Sequence, residues 1–252
     1  MSDERPLRIH CFAHAGAGVS SFAGWSRGLG HGAVAVPHLL PGRDHRRREP
    51  RLTGRDALLA ELLPRLTADD ETRQDPYLLY GHSLGALVAY TLARALREAG
   101  LPAPALLVVG ACPPPDRAVG LSDACRAPDE EVLRLLGGLG GLPGGAEPGG
   151  IWHRVVLPVL RDDLLLADAL RAAARRPSSA GTLDVPVLAV AGRDDPLAPP
   201  DAVAGWRRWT TGPFARRTVP GDHFFVRERE LPRLIGRAGR VVRRLAPVTA
   251  GR

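Results

Sequence analysis

Six short β-branched or apolar runs recur along the chain, most of them continuously apolar, and between them the apolar residues change to helical spacing. The runs are LRIHCFAH, AVAVPHLL, PYLLYG, ALLVVGAC, VPVLAVAG and ARRTVPG. RDALLAELLPRL, LGALVAYTLARALREAG, DAVAGWRRWTT and ELPRLIGRAGRVVRRLA carry the helical spacing. Uninterrupted apolar strands suit a sheet covered on both faces, as parallel sheets are. Strand and helix in alternation therefore predict an α/β fold with a mostly parallel central sheet flanked by helices. The 252 residues are enough for one large domain spanning the chain, and no repeat at solenoid spacing breaks it up.

The alternation fails between about residues 113 and 180. DEEVLRLL and WHRVVLPVLRDDLLLADALRAAA read as helices, the second interrupted by Pro158. LGGLGGLPGGAEPGG between them is too rich in glycine to hold a helix. Leucine-rich helices need burial, so this stretch is expected to be a helical lid inserted over a binding site rather than a disordered linker.

One strand is followed by Gly81-His82-Ser83-Leu84-Gly85, and a helix-patterned segment comes directly after it. G-x-S-x-G alone arises by chance, but between strand and helix it describes a strained bend that projects the serine hydroxyl. The following amide, Leu84 N–H, then stands at a helix N-terminus where it can meet an oxyanion. A serine hydroxyl needs a base to take its proton. Of the eight histidines, His223 has the right setting, in a loop after a late strand, and it follows the serine in chain order. His82, beside the serine, reads as structural.

An acid should lie between them, at a strand end, to accept the imidazole N–H. GRDDP, after VPVLAVA, offers Asp194 and Asp195. Asp195 is preferred, with Asp194 its neighbour and Asp116, after ALLVVGACPPP, as competitors. The second oxyanion donor is expected from the loop after the first strand, HAGAG, at Ala15 N–H, with His14 shaping the loop. No phosphate-loop or dinucleotide pattern fits that glycine-rich loop.

Other classes fit poorly. Three cysteines lack metal-ligand spacing, and Cys11 and Cys112 sit in apolar runs as buried thiols. Every basic residue is arginine and the net charge is +7, but aromatics are 5% and the arginines are scattered. That argues against nucleic acid, which needs clustered charge and stacking platforms. No apolar stretch reaches the roughly 18 residues that span a bilayer, and the start lacks a signal-peptide core. The expectation is a cytoplasmic monomer without a membrane anchor.

FAHAGAG, LLPGRDHR at 39–46, GHSLGALVA, LPVLRDD at 157–163, GRDDP and PGDHFF occur in that order. With these landmarks, from about Leu7 to Leu245, the chain resembles a type II thioesterase, the editing enzyme of polyketide and nonribosomal peptide synthesis, with an α/β-hydrolase fold. The resemblance implies Ser83 as nucleophile, Asp195 as acid, His223 as base, and Ala15 and Leu84 as oxyanion amides. It implies acyl or peptidyl carrier proteins as partners, the phosphopantetheine arm belonging to them, and no metal or bound cofactor. A small-molecule carboxylesterase of the same fold is one alternative, and a noncatalytic ligand-binding homologue another. Acyl-carrier turnover set against a simple oxygen ester separates the first, and fluorophosphonate labelling the second.

Overall fold

The computed structural model describes residues 5–68, 75–117, 126–137 and 150–245. Each expected apolar run forms a strand: β1 (Leu7–Phe12), β2 (Ala33–Pro37), β3 (Tyr77–His82), β4 (Leu106–Gly110), β5 (Val187–Gly192) and β6 (Phe214–Val219). They make one sheet in the order β2-β1-β3-β4-β5-β6, every neighbouring pair parallel. The central strands are buried on both faces, whereas the edge strands β2 and β6 are partly exposed.

Side chains leave a strand alternately on its two faces, and the core divides accordingly. Tyr77 and Leu79 of β3 join Leu107, Val109 and Ala189 in one apolar cluster. It packs under α2 (Arg55–Thr67) and α3 (Leu84–Glu98). Leu78 and Tyr80 point the other way, into a cluster with Ile9, Val108 and Val190. This second cluster lies under α1 (Trp25–Leu29) and α7 (Glu230–Leu245). Burial of α7 is confined to Leu231, Pro232, Ile235, Gly236 and Gly239, a helical stripe that leaves its arginines outside.

Between β4 and β5 come α4 (Asp129–Gly137) and α5 (Ile151–Ala174). Pro158 does not interrupt α5, which runs through it. Leu157, Val159, Leu160 and Leu164 around it are all buried, and this tertiary packing outweighs the backbone bond a proline forfeits. Most of the glycine-rich stretch, residues 138–149, lies outside the described residues, as does Cys125. DAVAGWRRWTT also differs from a simple helix. A four-residue α6 (Pro200–Val203) passes into a 3-10 segment, Ala204–Trp209, where Trp206 is buried and its indole N–H reaches Cys112 O at 2.7 Å.

The strand order reverses between β1 and β3, the place where ligands bind at the carboxyl ends of such sheets. Phe12 pairs with Gly81, so the loops that leave β1 and β3 start side by side. Gly192 pairs with Val219, which does the same for the loops after β5 and β6.

Candidate active site

Ser83 is the residue between β3 and α3, with φ 55° and ψ −115°, a conformation that L side chains rarely adopt. The flanking glycines are what make the bend possible. A Cβ on Gly81 would lie 1.9 Å from Gly85 O, and one on Gly85 would lie 2.0 Å from Phe12 O. The bend is held from behind by Ser83 N–H donating to Gly110 O at 2.8 Å.

Three of the side chains singled out in the sequence meet here. His223 Nε2 lies 3.1 Å from Ser83 Oγ, and its Nδ1 lies 3.0 and 2.9 Å from the two oxygens of Asp195. A carboxylate can only accept, so Nδ1 carries the proton and the Nε2 lone pair faces the serine hydroxyl. Asp195 is 2% exposed, and its Oδ1 also accepts from Leu197 N–H at 2.9 Å and Ala198 N–H at 3.1 Å. Those amides replace the water that burial removes.

The competing acids lie elsewhere. Asp194 is exposed, and its amide rather than its carboxylate is tied inward, to Gly221 O at 3.0 Å. Asp116 is exposed too and accepts from Arg208 Nη2 at 2.6 Å and Trp209 Nε1 at 3.3 Å.

Ala15 and Leu84 line the same cavity as Ser83. Leu84 opens α3, so its N–H is one of the first-turn amides with no partner inside a helix. His14 Nδ1–H donates to Ala15 O at 3.1 Å, and its ring stands edge-on to Phe224. Leu87, Leu136, Leu160, Leu164 and Phe224 make most of the wall apolar. The enclosed space is about 70 Å³, far less than the roughly 300 Å³ at the low end of small-molecule sites.

Two supporting groups surround these three: His82, read from the sequence as structural, and an ion pair that the sequence reading missed. His82 is wholly buried. Its Nδ1 accepts from Tyr80 Oη–H at 2.7 Å and its Nε2–H donates to the His223 carbonyl at 2.7 Å, so it anchors the backbone at His223. Arg43 and Asp163 form a buried ion pair beside the HAGAG loop. An aspartate among Leu160, Leu164 and Leu166 was the available signal, because a carboxylate on the buried face of a helix demands a partner.

Burial keeps several imidazoles neutral. It lowers His10 to about 3, His14 and His38 to about 4, and His82 well below the ordinary 6.5. Unfolded histidines take up protons below about 6.5 while these cannot, so their contribution to stability is complete above that pH and is lost as pH falls towards 4. A melting temperature that drops steadily from pH 6.5 to 4, with uptake of up to about four protons on unfolding, is the expected result. A flat profile over that range would contradict it.

Among the described residues no group of three metal-ligating side chains occurs, and no helix is long and apolar enough to cross a membrane. A thioesterase-domain family model matches residues 7–241. The chain is 36% identical to the thioesterase PikA5 of Streptomyces venezuelae over 228 residues, 88% of this chain and 76% of that protein. RedJ, a thioesterase from the prodiginine pathway of Streptomyces coelicolor, superposes with a TM-score of 0.79 at 36% identity, covering 94% of this chain and 90% of RedJ. YbtT, a type II thioesterase from the yersiniabactin pathway, gives 0.81 at 26% identity and covers 95% of each chain. The parallel sheet with its flanking helices is the α/β-hydrolase fold of these proteins.

Proposed function

Because the chain belongs to the thioesterase family, we propose that it is a type II editing enzyme. Its substrates are acyl groups on the phosphopantetheine arms of carrier proteins in polyketide and nonribosomal peptide synthesis, and its task is to clear aberrant or stalled ones. The observation that carries the reading is the unbroken line from Ser83 Oγ through the His223 ring to Asp195, at the floor of an apolar cavity. YbtT, named as a type II thioesterase of a mixed nonribosomal peptide and polyketide pathway, supports the role.

In the first step Ser83 Oγ attacks the thioester carbonyl while His223 Nε2 takes its proton. Charge gathers on the carbonyl oxygen, where the Ala15 and Leu84 amides receive it. Collapse breaks the C–S bond, the imidazolium returns its proton to the pantetheine sulfur, and an acyl-serine remains. Water, deprotonated by the same nitrogen, then attacks that ester. A second oxyanion forms in the same place, and the acid leaves as Ser83 regains its proton. Asp195 stabilises the imidazolium in both halves. Neither half uses a metal or resident cofactor.

The net charge of +7 would speed encounter with an acidic carrier, without specifying its docking face. We place this work in the cytoplasm, by a monomer, without a membrane or nucleic-acid partner. A single domain would carry residues 113–180 as its lid, with α4 and α5 contributing Leu136, Leu160 and Leu164 to the cavity wall.

The decisive comparison gives the enzyme one acyl group as carrier thioester, pantetheine thioester and p-nitrophenyl ester. The carrier form should show the highest kcat/KM, by about tenfold or more over the oxygen ester, since binding of the remote carrier can lower the barrier. Equal turnover of the oxygen ester would favour a general esterase. Replacing residues 137–150 with a short linker should shift the preferred acyl length, because the enclosed space is small. An unchanged preference across an acyl series would remove that segment from selection.

A further inference from the structure

The Arg43–Asp163 pair plays no part in the proton transfers described above, yet it is built with unusual care. Arg43 Nη1 and Nη2 donate to Asp163 Oδ2 and Oδ1 at 2.8 and 2.6 Å, and the two side chains are 7% and 1% exposed. Oδ2 also accepts from Gly16 N–H at 2.7 Å, the third bond to the carboxylate. Arg43 Nη1 also donates to Ala17 O at 3.0 Å. Both charges therefore end on backbone of the HAGAG loop.

The bond to Gly16 has a specific geometric effect. Gly16 N–H and Ala15 C=O belong to one peptide plane. Asp163 holds its N–H end, and His14 Nδ1–H holds its carbonyl end at 3.1 Å. His14 also belongs to the peptide that carries Ala15 N–H, so its bond to Ala15 O closes a ring across the Ala15 φ and ψ and, with Gly16 N–H held by Asp163, limits how far the Ala15 N–H can turn.

The carboxylate comes from α5, and α5 is itself fastened on either side of it. Arg161 pairs with Asp129 at the start of α4 and donates to Ala127 O at 2.6 Å, while Asp162 pairs with Arg51. Three consecutive residues, Arg161, Asp162 and Asp163, thus reach three separate segments. Mere adhesion does not require ions here, because apolar residues of similar volume usually hold a buried contact as well or better. What an apolar pair cannot supply is a directed acceptor for a backbone amide.

We propose that Asp163, held by Arg43, is a positioning residue that aims the Ala15 N–H at the oxyanion and couples that aim to the seat of α5 over the cavity. A shift of α5 that carries Asp163 away would release the Ala15–Gly16 peptide, so the donor is assembled only when the helix is down. The inference rests on the reading of Ala15 and Leu84 as oxyanion donors.

Two double variants test it: Arg43→Met with Asp163→Leu, and Arg43→Met with Asp163→Asn. Neither leaves a buried charge alone, and the Asn version keeps an amide oxygen for Gly16 N–H. The readouts are melting temperature, KM and kcat on a pantetheine thioester, and Ki for an acyl trifluoromethyl ketone. The Ser83 hydroxyl adds across that ketone, its proton passing to His223, and the resulting oxyanion occupies the donor site.

The Leu version should lose about 30-fold or more in kcat with KM within about twofold, and Ki should weaken in parallel, as expected when a donor is displaced rather than binding lost. The Asn version should recover about fivefold or more of both. Folded variants that match the wild type, or Leu and Asn versions that fall equally, overturn the proposal. Should the Leu version fail to fold, Arg43→Lys carries the test. It keeps the charge without the two-pronged contact, and kcat must fall about fivefold or more at unchanged KM, an unchanged kcat being fatal. A wild-type enzyme that the ketone does not inhibit would instead refute the oxyanion reading beneath it.

Discussion

Ser83→Ala is expected to lower thioester turnover by about 10⁴- to 10⁶-fold while leaving the fold in place. The bend does not depend on the hydroxyl. It is shaped by the close approaches at Gly81 and Gly85 and by the Ser83 amide bonded to Gly110 O, all of which survive the substitution. Alanine keeps the Cβ and accepts the same backbone strain, so the melting temperature should stay within a few degrees of the parent. What disappears is the hydroxyl proposed as the nucleophile. Intact-mass measurement on a slow acyl thioester should detect an acyl adduct on the parent and none on the variant, and a fluorophosphonate should label only the parent. An adduct on the Ala variant would move the nucleophile elsewhere. Residual turnover above the solution rate is also expected, because the cavity and the donor amides remain to bind and polarise the thioester.

The parts of this fold written into contiguous residues were legible in the sequence. Continuous apolar runs marked the central strands, because a central parallel strand buries both faces, while the edge strand β6, FARRTV, was read from a short run that carries two arginines. The elbow was legible because its requirements are local: a strand, two glycines around the serine and a helix. Pro158 was misleading, since its effect was judged within one helix whereas the surrounding leucines are buried by other elements. The 3-10 segment at Ala204–Trp209 was hidden for a similar reason, its path set by the burial of Trp206.

Arg43 and Asp163 show the harder case. They are 120 residues apart in sequence and meet through the packing of α5 above the loop after β1. Each stands in a motif that the family resemblance singles out, LPGRD or LPVLRDD, but neither motif contains the partner. Local reading can state that a buried aspartate needs compensation. It cannot state that the compensation comes from residue 43, nor that a backbone amide at Gly16 shares it. The topological reversal between β1 and β3 explains why such contacts gather here, since it leaves a crevice into which the loops after β1, β3, β5 and β6 all converge.

The choice of acid depends on the same convergence. Asp194 and Asp195 are adjacent in sequence, but only Asp195 turns beneath the His223 ring, where the Leu197 and Ala198 amides also reach it. Asp195→Asn should therefore cost about 10⁴-fold in kcat/KM. Its oxygen can still accept from those two amides, so the turn should persist. The side-chain NH₂ is a donor, however, and facing Nδ1 it favours the tautomer with the proton on Nε2. That proton would point at Ser83 Oγ and leave no lone pair to accept one from it. Asp194→Asn and Asp116→Asn should stay within about threefold of the parent, since Asp194 is exposed and the Asp116 carboxylate is engaged by Arg208 and Trp209. Loss of the ion pair with Arg208 should register only weakly in stability, both partners being at the surface. The three kcat/KM ratios separate the acids without ambiguity. A large loss at Asp116 with Asp195→Asn near the parent rate would transfer the role to the end of β4, and would require the base loop to leave the position in which Asp195 now holds it.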